Sequence, residues 1–453
     1  MAESLQQTST TDDDKMNSFQ WLAIGICVLL NGLDGFDVLV MAFTANSVSA
    51  EWGLTGSQLG LLLSAGLFGM TAGALLLAPW ADRIGRRKLI IMCVVVTGAG
   101  MILSSLSQNE IQLGILRFVT GLGIGGLLSS TNVLASEYSS ARWRGLAVSL
   151  QSTGFAAGAT LGGISAALLI DAWGWRSVFL VGGALSLIIL PLVLWRLPES
   201  VDFIVTKGGP NALERANTTL VRMGRAPLAA LPDTAGTHGG NKIRFTKLLS
   251  PEFRRATLML WLTFGVLLFS YHFVTNWTPK LMISAGMSES EGISGGILLN
   301  LGGIVGTLIF GFLAARFDIR KLLATMTLIT SILLAVFVTT TSSLPLVLIV
   351  GLLIGVFLNS AMAGLYSSAP RTYPADVRVT GVGTAIGIGR AGAIVSPMAV
   401  GSLIDSGWSS TQLYLAVALF MLVAVGAALS LRFDSSSALP ARTAKVASPS
   451  NAH

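Results

Sequence analysis

Twelve stretches of this 453-residue chain are apolar over the length a bilayer demands. A hydrocarbon core about 30 Å thick takes roughly 20 residues of helix to cross. Runs of that kind lie near 19–43, 57–80, 89–107, 111–133, 147–170 and 177–196. After a polar stretch they resume near 256–280, 292–315, 322–339, 345–367, 380–404 and 411–431. Leu322 to Pro370 carries no charge and is too long for one crossing, so Thr339 to Ser343 is read as the break between two. Backbone polar groups in lipid must be satisfied within the segment. The expected fold class is therefore an all-α polytopic membrane protein with twelve transmembrane helices. Composition excludes a soluble alternative: charged residues are 11% of the chain, against about 25% in ordinary soluble domains. Cys27 and Cys93 lie in apolar runs without metal or redox spacing and are expected to be inert core residues. The first run is too long for a signal-peptide core.

The basic residues set the orientation. With the N-terminus in the cytoplasm, 25 of the 29 Lys and Arg fall in cytoplasmic segments and only Arg176 and Lys280 fall outside. The positive-inside rule then places both termini in the cytoplasm. The expected organisation is a cytoplasmic segment 1–18, a first bundle 19–196, a cytoplasmic central loop 197–255, a second bundle 256–431 and a cytoplasmic tail 432–453. The net charge of +7 is thus a topology signal, and no nucleic-acid partner is expected.

Six spans precede the central loop and six follow it, and the loops repeat. Loop 2–3 reads Ala78-Pro-Trp-Ala-Asp82-Arg83-Ile-Gly85-Arg86-Arg87-Lys88. Loop 8–9, 233 residues on, reads Gly311-Phe-Leu-Ala-Ala315-Arg316-Phe-Asp318-Ile-Arg320-Lys321. Loops 4–5 (Glu137-Tyr138 to Arg144) and 10–11 (Thr372-Tyr373 to Arg378) also match. Two bundles of six related in this way place a substrate site near the midplane between them. The first loop is similar to the G-x-x-x-D-R-x-G-R-R/K signature of the major facilitator superfamily, with Ala78 where Gly is usual. In the second copy Ala315 stands where the acid is expected. Pro198-Glu199-Ser200 after span six resembles a further mark of that superfamily. In span one, Asn31-Gly-Leu-Asp34-Gly35-Phe36-Asp37 carries a D-G-[FY]-D element that resembles the aromatic acid:proton symporter family. Gly387-Ile-Gly-Arg390-Ala-Gly392 with Pro397, and Asn276-Trp277-x-Pro279, resemble it too.

Four charged residues lie within the interior of spans: Asp34, Asp37, Arg117 and Arg390. Each costs roughly 2.5–3.5 kcal/mol on insertion scales, so each is expected to be paired or to line an aqueous cavity. Asp34 and Asp37 share a helix face. Asp37 and Arg117 are both expected about 9 Å below the outer surface, and Arg390 about 15 Å into span eleven. A lone guanidinium at the midplane suits a planar, bidentate carboxylate. A desolvated carboxyl is suited to carrying a proton. The family resemblance implies that the span-one acids handle the proton and the arginines the substrate carboxylate; whether Arg117 or Arg390 makes that contact stays open. Proton coupling also has an electrical rationale. An anion entering against an inside-negative potential meets about 2.3 kcal/mol per charge per 100 mV, and a co-transported proton cancels that charge.

Asn276, Trp277, Phe36 and His272 are further candidates for the substrate pocket, with Trp277 the best placed to stack on a ring. For Phe36, Trp277 and His272 packing competes with that role. An inner gate is expected from Asp82, Arg83, Gly85, Arg86 and Arg87 with Glu137 and Arg144. Span five carries Gly154-x-x-x-Gly158-Ala159-x-x-Gly162-Gly163, small residues that allow close helix packing. It is similar to an antiporter motif, but Ala159 stands where Pro is usual, which weakens a drug-efflux reading. His238 and His453 lie in polar segments and are expected to be inconsequential. No P-loop, metal-ligand cluster or enzyme motif is present, so no enzyme activity and no cofactor beyond the proton is expected.

The resemblance thus implies a monomeric, multi-pass protein of a bacterial inner membrane. It would import a benzoate-like acid such as hydroxybenzoate or gentisate with protons, by alternating access, for aromatic catabolism. The runner-up is a transporter of another organic anion or a drug exporter; a ligand-binding receptor is the third reading.

Overall fold

A computed structural model describes residues 16–140, 142–231, 245–340 and 343–431. Lys15, His238, Lys242, Arg244, Arg432, Arg442, Lys445 and His453 lie outside the described residues.

Spans one to six are Ser18–Trp52, Gly56–Leu76, Arg86–Ser105, Glu110–Tyr138, Arg144–Trp173 and Trp175–Arg196. Spans seven to twelve are Arg254–Ser284, Glu289–Ala314, Ile319–Phe337, Leu344–Ser368, Ala375–Asp405 and Ser410–Leu429. All twelve are long and apolar enough to cross a membrane. Their starts are written in the sequence. Asn17 with Gln20, Thr55 with Gln58, Ser288 with Glu291 and Ser409 with Gln412 each form a reciprocal capping box. Each box satisfies backbone N–H groups that the first helical turn leaves without partners. Span one runs nine residues past its expected end at Phe43 and stops at Gly53, which takes a left-handed conformation (φ 62°). Ala42 to Ala50 is only mildly polar, and nothing in it breaks a helix before that glycine. Asp37 therefore sits deeper below the end of its own helix than the expected 9 Å.

Small residues draw the spans together. A Cβ on Gly158 would collide with the backbone carbonyl of Gly32, so spans five and one touch backbone to backbone there. Ser64 Oγ of span two donates to the Ile394 carbonyl of span eleven at 2.8 Å, which joins the two halves near the middle of the membrane. Leu76, Leu168, Leu308 and Trp195 remain exposed, as lipid-facing side chains must be.

The outer ends of the halves are latched. The Asp405 carboxylate, at the end of span eleven, accepts from the first backbone amides of span two: Gly56 N at 2.6 Å and Ser57 N at 2.8 Å. It also accepts from Ser57 Oγ at 2.5 Å. Ser47 hydrogen-bonds Glu289, and Lys280 Nζ donates to Asn46 Oδ1 at 3.0 Å. The cytoplasmic contacts of the first half, described next, are internal to that half and its following loop. Among the described residues the hydrogen bonds that join the halves lie at the outer ends and mid-membrane, which is an inward-facing arrangement. Asp405 satisfies the helix N-terminus with a negative charge. Asp405→Asn is therefore expected to shift the population a few-fold toward outward-facing. Spin labels at the outer ends of spans two and eleven read this as a lengthened distance.

Candidate substrate and proton site

The cytoplasmic cluster begins at Gly85, whose φ of 103° is unfavourable for any side chain and whose Cβ would collide with Glu199 Oε2. Glu199 Oε1 accepts from Arg87 N and from Ser200 N, both at 3.0 Å. Arg86 forms an ion pair with Glu137 and donates to Ser200 Oγ at 3.3 Å. Tyr138 Oη donates to the Glu199 carbonyl at 2.8 Å. Pro198-Glu199-Ser200 is thus stitched to loop 2–3 and to the end of span four. Asp82 stands at the rim, largely exposed, with Arg86 3.9 Å away. Arg83 contributes its carbonyl to Lys207 Nζ at 3.2 Å. Arg144 makes no ion pair among the described residues, and its Nε is buried without a partner. In loop 8–9 the acid has moved: Asp318 caps span nine, accepting from Arg320 N at 2.8 Å and Lys321 N at 3.2 Å.

Within the membrane, Asp37 and Arg117 meet. Arg117 Nη1 donates to Asp37 Oδ1 at 2.6 Å and Nη2 to the Asp37 carbonyl at 2.9 Å, with both side chains buried. The Arg117 guanidinium also lies over the Phe179 ring at 5.6 Å. Asp34, one turn toward the cytoplasm, is 2% exposed, and its Oδ2 has no hydrogen-bond partner. Asn31 below it hydrogen-bonds Gln151 and accepts from Thr131 Oγ1 at 3.2 Å. Asp34 and Asp37 are thus inside the N-terminal half, not on the wall of the larger cavity.

That cavity holds about 240 Å³ between the halves. Spans one, two, four and five supply Val38, Met70, Leu128 and Phe155; spans seven, ten and eleven supply Tyr271, His272, Thr275, Tyr366 and Arg390. Arg390 Nη1 donates to the Met70 carbonyl at 3.4 Å, and among the described residues no acid pairs with it. The volume sits just under the roughly 300–1,000 Å³ of drug-sized sites, which suits a single-ring ligand. A smaller pocket of about 10 Å³ shares Val38, Leu67 and Met70 with it and reaches Arg117 and Asn276.

The expected pocket residues divide. Arg390 and His272 line the larger cavity, and Arg117 and Asn276 line the smaller one. Phe36 and Trp277 line neither. Phe36 fills the space over Gly162 and Gly182 inside the first half, and Trp277 is 1% exposed. Both are large apolar side chains on inward helix faces, where packing takes them. Phe155 and Tyr366 were not anticipated; a single aromatic in an apolar span carries no local signal of where it points.

The family model described as Major Facilitator Superfamily matches residues 24–313 and 298–451. The chain belongs to that superfamily. It is 32% identical to the 4-hydroxybenzoate transporter PcaK of Acinetobacter baylyi over 94% of each chain. It is 33% identical to the gallate transporter of Pseudomonas putida over 96% of each. The fold matches a partially occluded inward-open structure of the xylose transporter XylE from E. coli. That match has a TM-score of 0.70 and 16% identity, over 90% of this chain and 97% of the other. The protein is a multi-pass membrane transporter related to bacterial aromatic acid transporters.

Proposed function

We propose that the protein imports a single-ring aromatic carboxylate together with protons across a bacterial inner membrane. The observation that carries this reading is Arg390. It is an arginine without an acidic partner among the described residues, facing a cavity that is part aromatic and of single-ring size. A planar guanidinium offers a carboxylate two parallel hydrogen bonds, and aromatic walls suit a ring. Asp34 and Asp37 carry the coupling proton, and Arg117 ties Asp37 to the neighbouring pocket. Asp34 acts from within the first half as the carboxyl free to bind and release a proton. Relatives named for 4-hydroxybenzoate and gallate support the substrate class. The gate around Arg86, Glu137 and Glu199 opens and closes the cytoplasmic side, and Asp405 the outer side.

The test is uptake into proteoliposomes with an alkaline interior, using a panel of benzoate derivatives, aliphatic carboxylates and cationic drugs. Accumulation of ring acids alone, abolished by a protonophore, is expected. Accumulation of aliphatic acids or export of drugs in preference would support the runner-up. Binding without accumulation would mark a receptor.

A further inference from the structure

We infer that Tyr271 and His272 on span seven form the specificity-determining end of the cavity, reading a hydroxyl on the ring position opposite the carboxylate. This rests on the proposal that Arg390 binds a ring carboxylate. Contacts between spans seven and eleven fix the relative levels. A Cβ on Gly392 would collide with the Gly265 carbonyl, and Ser396 Oγ donates to the Phe269 carbonyl at 2.7 Å, a constant offset that sets the Arg390 backbone level with Thr263. Both spans run outward, so the Tyr271 and Thr275 backbones stand about 12 and 18 Å farther out than that of Arg390. Tyr366 lies near the cytoplasmic end of span ten, beside Phe264 with ring centroids 5.6 Å apart.

The cavity therefore has a direction. Arg390 and Tyr366, the latter beside Phe264, lie toward its cytoplasmic side, and Tyr271, His272 and Thr275 lie at the outer end. The latches at Asp405, Glu289 and Lys280 lie beyond that end. A ring acid held at Arg390 points its far edge into this closed end. The polar groups waiting there are unengaged. Tyr271 Oη and the His272 ring nitrogens make no hydrogen bond among the described residues, while Thr275 Oγ1 donates to the Tyr271 carbonyl at 2.9 Å. Tyr271 and His272 meet edge to face with ring centroids 5.4 Å apart, so the hydroxyl and the imidazole are neighbours. A phenolic hydroxyl both donates and accepts, and it matches a tyrosine hydroxyl beside an imidazole. An unsubstituted ring leaves both groups without a partner, which a site built for hydroxyl recognition penalises.

The experiment is calorimetric binding of benzoate, 2-hydroxybenzoate and 4-hydroxybenzoate to the purified full-length protein. Wild type is expected to prefer 4-hydroxybenzoate over the other two. Tyr271→Phe, which removes one oxygen, should weaken 4-hydroxybenzoate by about 3- to 10-fold without weakening benzoate. His272→Phe should reduce the same preference, and thermal unfolding reports that each variant is folded. Equal affinity of wild type for all three acids would overturn the inference while leaving the proposed substrate class in place. So would a preference that survives both substitutions, or equal weakening of benzoate and 4-hydroxybenzoate. Wild type that binds none of the three would overturn both.

Discussion

Replacing Arg390 by alanine is expected to weaken aromatic carboxylate binding by roughly thirtyfold or more. A charge-assisted contact in a desolvated site is worth about 2–5 kcal/mol when one partner is removed. Arg390 faces the cavity and spends one bond, of 3.4 Å, on the Met70 carbonyl, so most of its donors are available to a ligand. Arg390→Lys keeps the charge but loses the planar fork and should also be impaired. The control is the neutral amide of the same acid. It should bind wild type poorly and lose little further in Arg390→Ala, which separates the contact from general misfolding. Equal weakening of acid and amide would make Arg390 structural. Arg117, through its small pocket, would then be the better candidate for the carboxylate.

Asp34→Asn and Asp37→Asn are both expected to abolish accumulation driven by a proton gradient, yet they should differ in stability. Asp37 neutralises Arg117 at 2.6 Å in a buried setting. Breaking a buried pair by removing one partner typically costs about 3–5 kcal/mol. Asp37→Asn should therefore lower the unfolding temperature as well as uptake. Asp34 has no such partner and its Oδ2 is unengaged. Asp34→Asn should fold and bind substrate like wild type while failing to accumulate it. Thermal unfolding with uptake under an alkaline-inside gradient checks both statements. Full uptake by Asp34→Asn would remove that carboxyl from the mechanism.

Much of this was legible in the sequence because a bilayer leaves few options. A crossing segment must be apolar, about 20 residues long and helical, so the spans could be counted and oriented from apolar runs and basic loops. The Asp37–Arg117 pair was legible for the same reason, since a buried charge must find its opposite. The depth at which they meet was not, because span one continues to Gly53 through residues with no strong preference. Phe36 and Trp277 show a second limit. Which wall an aromatic ring faces depends on rotation about the helix axis, and that is set by neighbours such as Gly162 and Gly182 on other spans. Phe155 and Tyr366 reach the cavity by the same rotation. The cytoplasmic cluster was half visible: Arg86 and Glu137 pair, while Glu199 takes the central place and Asp82 stays at the rim.

The central claim is that one carboxylate and its proton cross together, the first on Arg390 and the second through Asp34. Proteoliposomes with a pH-sensitive dye trapped inside, and no initial pH gradient, test it directly when an aromatic acid is added outside. Wild type is predicted to acidify the interior in step with labelled acid entering, at a rate well above protein-free liposomes. Asp34→Asn should bind the acid yet give neither signal above that background. Acid entry through wild type without interior acidification, or equal proton movement through Asp34→Asn, would contradict the account.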